Sequence, residues 1–275
     1  MTKEALRRNL HYLYSDNSKH AVYQNIPMFV REELDYHESI NEEWRGDTAR
    51  YKLLKETINF RKKVVGDFGA NTGFFSLSLA FENPDSTFIA YEMNVNHVKF
   101  MTSIKSYFGL KNLFIESVNL NMSGIDKLPK HDLVLNFNVL HHGGVDFDSD
   151  IINDATKFHD YASEYLKKLH SKTDQMVFQM GYNWGGNKQK PIVSPEKPVE
   201  FILYLKKLFL ASDWLVNGIF LHDNNERKYS GINLIDNLDP EKLKTLTNEL
   251  DRMDFFRNSE FYKRPIVMSS RKDNL

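Results

Sequence analysis

The chain has no cysteine among its 275 residues, which excludes disulfides, thiolate metal sites and thiol nucleophiles together. It lacks an excess of either charge, since 36 Lys and Arg stand against 37 Asp and Glu. Nucleic-acid binders usually carry a basic excess, because phosphate neutralisation supplies much of their affinity, so an RNA partner is not excluded but is not favoured. No run reaches the roughly 18 apolar residues that cross a bilayer. Met1 to Leu10 is charged, without the apolar centre of a signal peptide, so no membrane contact is expected and a cytoplasmic location is the simplest reading. Internal repeats and low-complexity tracts are absent as well.

What is present suits a folded globular protein. Hydrophobic residues make up 41% and aromatics 13%, enough for one good core and a small extra lobe. The short basic runs Arg61-Lys62-Lys63, Lys167-Lys168 and Lys206-Lys207 each border a predicted element, where a solvated face accounts for them. The fold class expected is α/β. Residues 1–60 read as an amphipathic helical cap broken at Pro27 and Gly46, and residues 61–275 as the main domain. Strands are expected at Lys63–Phe68, Thr87–Tyr91, Leu113–Val118, Asp132–Phe137 and Gln175–Met180. Helices Gly73–Phe81, Val95–Phe108 and Phe158–Leu169 lie between them. This alternation predicts a parallel sheet with helices on both faces. Residues 181–198 form a long Gly- and Pro-rich loop, opening an insertion that extends to about residue 260. A helix at 199–210, a strand Val216–Leu221, a helix Pro240–Met253 and a strand Pro265–Ser269 complete the pattern.

The most informative stretch is Val64-Val65-Gly66-Asp67-Phe68-Gly69-Ala70-Asn71-Thr72-Gly73-Phe74-Phe75-Ser76, a strand entering a glycine turn and then a helix. A dinucleotide fingerprint G-x-G-x-x-G would occupy Gly69, Asn71 and Phe74, and two of its three glycines are missing. The D-x-G-x-N-x-G arrangement instead resembles motif I of the class I S-adenosylmethionine-dependent methyltransferases. Glu92 follows strand two, about twenty residues on, where nucleoside-binding α/β folds place an acid to accept from a ribose diol.

Asp67 can meet the cofactor's ammonium, directly or through water, or cap the turn that follows it. Asn119, past strand three, is placed to touch an adenine ring, with Asn121 or a backbone group as the alternative. Strand four runs into Leu135-Asn136-Phe137-Asn138-Val139-Leu140-His141-His142-Gly143-Gly144. Two asparagines in an apolar run imply a ligand or a polar network. His141 or His142 can serve as general base on an acceptor hydroxyl or amine, or bridge and face solvent instead. Adjacent histidines without further ligands do not make a metal site.

Residues 63–144 thus resemble the class I methyltransferase core, and the resemblance implies a Rossmann-like sheet and S-adenosylmethionine as cofactor. The cofactor-binding set is then Asp67, Gly69, Asn71, Gly73, Phe74, Glu92, Asn119 and Asn138, and the catalytic pair His141 and His142. Upstream, Ile40-Asn41-Glu42-Glu43-Trp44-Arg45-Gly46-Asp47 is similar to the segment preceding this core in the tRNA wobble-uridine carboxymethyltransferase family. That likeness implies that Trp44 and Arg45 face substrate or cofactor. Arg45 can equally pair with Glu42 or Glu43. After strand five, Tyr182, Asn183 and Trp184 combine flat apolar faces with an amide, as polyol sites do, and are assigned to substrate; an aromatic plug is the alternative.

The activity expected is methyl transfer to oxygen or nitrogen by in-line displacement on a small polar metabolite, such as a sugar, a nucleotide-linked sugar or a phosphate-bearing glycan precursor. A tRNA-modifying methyl or carboxymethyl transferase and a non-catalytic cofactor-binding protein are the alternatives. Oligomeric state has no signal in the sequence.

Overall fold

The computed structural model describes residues 2–15, 24–37, 46–233 and 239–272. The chain forms two compact units, Met1–Asn119 and Leu120–Leu275. The helices expected as a cap fall within the first unit, together with the first three strands.

In the first unit, α1 (Lys3–Ser15), α2 (Met28–Leu34) and α3 (Asp47–Thr57) precede β1 (Val64–Phe68). Then come α4 (Phe74–Glu82), β2 (Thr87–Tyr91), α5 (Val95–Phe108) and β3 (Leu113–Glu116). The three strands pair in parallel in the order β3-β2-β1, with Val64 opposite Thr87 and Phe88 opposite Leu113. Parallel strands need crossover helices, and the apolar runs supply them. Phe74, Phe75, Leu77, Leu79 and Ala80 of α4 are all buried, so this helix is core on most of its surface. Local signals set the ends of α5: the Asn94 side chain accepts from Asn96 N–H at its start, and Gly109 at φ 67° terminates it. β3 stops at Glu116, two residues earlier than expected.

The second unit contains α6 (Met122–Asp126), β4 (His131–Phe137), α7 (Phe158–His170), β5 (Thr173–Gln179) and α8 (Pro198–Ala211). It continues with β6 (Trp214–Asp223), β7 (Lys228–Gly231), α9 (Pro240–Arg252) and β8 (Ile266–Arg271). Its strand order is β4-β5-β8-β6-β7. β4 and β5 are parallel, as expected, but the other pairs are antiparallel. The cause is local. The Asp223 side chain accepts from the backbone N–H groups of Asn225 and Glu226. That tight turn makes β6 and β7 a hairpin, which only antiparallel strands can form. Between β6 and β8 the register steps: Val216 faces Ser269 and Gly218 faces Met268, so Asn217 is an extra residue. Among the described residues, no helix is long and apolar enough to cross a membrane.

Candidate functional site

The glycine turn between β1 and α4 is shaped by backbone that glycine and asparagine tolerate best. Gly69, Asn71 and Gly73 have φ of 65°, 53° and 80°. At Gly73 a Cβ would also lie 2.5 Å from the Met101 sulfur, so a side chain is excluded twice. Glu92, just past β2, reaches this turn. Its Oε2 accepts from Asn71 N–H at 2.7 Å and its Oε1 from Asn94 N–H at 2.8 Å. A carboxylate has about four acceptor positions, and these two bonds orient it while leaving others for a diol. Burial pushes the Glu92 carboxyl up, and the backbone N–H groups of Asn94, Asn71 and Met93 oppose that shift.

Asp67 behaves as a turn residue. It is buried and accepts from the Ser76 hydroxyl in the first turn of α4. Burial pushes its carboxyl up to about 6, against the Ser76 hydrogen bonds. Asn119 is exposed, whereas Asn121 caps α6 by accepting from Gly124 N–H at 2.7 Å.

Contacts with no local sequence signal close over the turn. Gln24 Oε1 accepts from the Phe74 N–H, the first of α4, at 2.9 Å. The Tyr14 hydroxyl lies 3.3 Å from Thr72 Oγ1 and donates to Asn25 O at 3.1 Å. Asn25 N–H donates to Asp47 Oδ2 at 2.8 Å, and Asp47 pairs with Arg50 at 2.6 Å, both buried. Trp44 and Arg45 lie outside the described residues.

In the second unit, the chain leaving β4 and β5 carries a polar network. Asn138, at φ 62°, donates through Nδ2 to Gln179 Oε1 at 3.1 Å and accepts at Oδ1 from Arg264 Nη1 at 2.8 Å. Gln179 in turn donates to Arg264 O and to the Tyr229 hydroxyl. Asn138 therefore belongs to a protein network, with both ends of its amide engaged. Asn136 is fully buried, and neither of its amide atoms has a protein partner.

The two histidines part ways. His141 is buried, and its Nδ1 accepts from Gly181 N–H at 3.2 Å, which places the ring hydrogen on Nε2. Burial, then His142 and Arg264, hold it well below the ordinary histidine range. A neutral ring whose Nδ1 is occupied is a structural bridge, so the expectation that His141 removes a proton is corrected. His142 is one-third exposed, with Nδ1 2.8 Å from Asp146 Oδ2 and off the ring N–H axis. Its Nε2 makes no hydrogen bond among the described residues.

The loop after β5 also corrects an expectation. Tyr182 is buried, donates to Lys263 O at 2.8 Å and packs on Phe201, with ring centroids 4.1 Å apart. Trp184 is buried and donates to Gly143 O at 2.7 Å. Both polar atoms are taken by backbone carbonyls, so these rings plug the fold instead of lining a substrate surface. Asn183 Nδ2 donates to Glu260 Oε1 at 3.0 Å, while its buried Oδ1 has no partner. Sequence reasoning missed Gln24 and Arg264, and it grouped Gln179 with the loop after strand five rather than with Asn138. Arg264 is flagged only by standing next to Pro265 at the mouth of β8.

No family model matches the chain. Over 107 residues it is 26% identical to a tRNA U34 carboxymethyltransferase from Desulfotalea psychrophila (strain LSv54 / DSM 12343), covering 38% of this chain and 32% of that protein. A solved structure of WbdD at 2.2 Å superposes with a TM-score of 0.51 and 16% identity, covering 96% of this chain and 46% of that one. Another, described as the bifunctional kinase-methyltransferase WbdD, gives 0.50 and 17% over 78% of this chain and 42% of that one. The chain spans about a third of the curated relative and under half of WbdD. The structural likenesses show the fold alone, a Rossmann-like α/β architecture.

Proposed function

We propose that the chain is a class I methyltransferase that uses S-adenosylmethionine to modify a small polar acceptor. The observation that carries this reading is Glu92, a buried carboxylate oriented by two backbone N–H groups at the rim of the glycine turn. The residues fit the cofactor chemically. Glu92 has free acceptor positions for a ribose diol, Gly69 presents part-exposed backbone with no side chain, and the buried Asn71 Oδ1 lacks a protein partner. Phe74 follows the turn as a flat apolar face, and the exposed Asn119 amide can pair with a base edge.

When bound, the cofactor supplies an electrophilic methyl group. The chain's own residues do the rest: they fix the donor, orient the acceptor and accept its proton. Proximity and orientation are the largest contributions such a site makes. His142 has an accessible ring and a neighbouring carboxylate, which suits it to take a proton from a hydroxyl or amine. For the acceptor we favour a sugar, a nucleotide-linked sugar or a phosphate-bearing precursor, since the chain is nearly neutral.

Calorimetry with S-adenosylhomocysteine tests the donor assignment. Wild type should bind, and Glu92→Gln should bind at least tenfold more weakly, in line with about 1.5–3 kcal/mol for hydrogen bonds to a charged group. Equal affinity would sink the ribose assignment. A second reading, a tRNA-modifying transferase, is favoured by the 107-residue match. Labelled methyl transfer to bulk tRNA, but to no sugar nucleotide, would establish it over the first.

A further inference from the structure

We propose that Gln24 is a donor-binding residue that holds the carboxylate of the donor's amino-acid end, with the Asn71 amide oxygen taking its ammonium. This rests on the reading of the glycine turn as a methyl-donor site.

The side chain of Gln24 is nine-tenths buried, and its Oε1 is fixed on the Phe74 N–H. That bond sets the amide's orientation, because the flipped form would point a donor at a donor. The Nε2 hydrogens have no partner among the described residues. Two N–H donors are thus offered beside the N-terminus of the nine-residue helix α4, where the peptide dipoles favour a negative group. A second, independent feature lies three residues away in the chain. Asn71 Oδ1 is buried without a partner, and an acceptor left alone in this way is costly unless a ligand supplies the donor.

The group with the right charge for an ammonium, Asp67, is already engaged by Ser76 and is 4% exposed. A zwitterion would therefore meet a neutral donor and a neutral acceptor in place of two charges. The positions are stable. Gln24 is followed by Asn25, which Tyr14 and Asp47 anchor, and Asn71 tolerates its φ of 53° because its short side chain suits the left-handed region.

The test compares S-adenosylhomocysteine with 5′-methylthioadenosine, which keeps the nucleoside and lacks the amino-acid end. Binding is read by calorimetry on the full chain. Gln24→Glu keeps an oxygen for Phe74 N–H, so the helix cap persists, but it replaces the N–H donors with a negative charge. We expect Gln24→Glu to weaken S-adenosylhomocysteine at least tenfold and to leave methylthioadenosine within twofold. Asn71→Gly, which tolerates the backbone, should show the same selectivity against S-adenosylhomocysteine. Equal losses for both ligands would mark Gln24 as merely structural, and an unchanged S-adenosylhomocysteine affinity would overturn the contact. Failure of wild type to bind either ligand would overturn the donor site itself, and the proposal with it.

Discussion

Arg264 donates through Nη1 to the side-chain oxygen of Asn138 at 2.8 Å, closing a contact between residues 126 apart in the chain. Because Gln179 accepts from the other end of the same amide, Asn138 is held from both sides in a left-handed conformation. Side chains bearing a Cβ avoid that region, asparagine less than most. Asn138→Ala should therefore lower stability by about 1–2 kcal/mol through backbone strain, on top of the lost bonds, and Asn138→Gly should cost less. Urea melts of the two variants check the order. Asn138→Gly should also leave S-adenosylhomocysteine affinity near that of wild type; a large loss would restore Asn138 to the cofactor-binding set.

The two histidines should separate in kinetics. If His142 takes the acceptor's proton, His142→Ala lowers turnover on the order of 10²–10⁴-fold while donor affinity holds. His141→Gln should mainly reduce thermal stability, since it disturbs a buried bridge to Gly181. A slow chemical step in the His141 variant with normal turnover in the His142 variant would reverse the assignment.

Asp67 makes stability depend on pH in a direction opposite to that of a salt-bridged carboxylate. Its folded value, about 6, lies above the ordinary 3.8. The folded state thus binds its proton more tightly than the unfolded chain. That contribution is complete below the unfolded value and is lost as pH rises through about 6. At pH 8 the ionised buried group then costs on the order of 2–3 kcal/mol relative to its protonated form. Asp67→Asn keeps an acceptor for Ser76 and cannot ionise, so it should be more stable than wild type at pH 8 and similar at pH 4. Denaturant melts at both pH values decide it; parallel curves would refute the assignment.

Tyr182→Phe removes a hydroxyl that satisfies Lys263 O. We expect a loss of about 1–3 kcal/mol in stability from the carbonyl left unpaired, with no change in the KM for the acceptor. A raised KM in a fully folded variant would return Tyr182 to the substrate surface.

Much of the first unit was legible because its signals are local. The helix Val95–Phe108 and the strand Thr87–Tyr91 have the bounds expected from the sequence, set by a cap at Asn94, a stop at Gly109 and a turn in which Ser86 N–H donates to Asn83 O. β7 was not legible: Lys228-Tyr229-Ser230-Gly231 is short and polar, and it becomes a strand by pairing with β6. α6 is five residues long and capped by Asn121, too short for a period to register. The candidate site divides in the same way. Glu92 and the glycine turn are read from spacing, whereas Gln24 meets Phe74 across 50 residues of chain, a closure that no local pattern encodes. Tyr182 and Trp184 misled because composition reports which groups are present and not where their hydrogen bonds end.

The extra residue in β6 sets the phase of that strand. Trp214 and Val216 are buried before it, and Ile219 and Leu221 after it, so even positions face inward on one side and odd positions on the other. Elsewhere in a half-buried strand, losing one residue would turn every following side chain inside out. At Asn217 the loss would restore simple alternation, with 214, 216, 219 and 221 still pointing inward. The step at Asn217 and Gly218 is where evolution or an engineer can shorten β6 by one residue without rewriting the residues that follow.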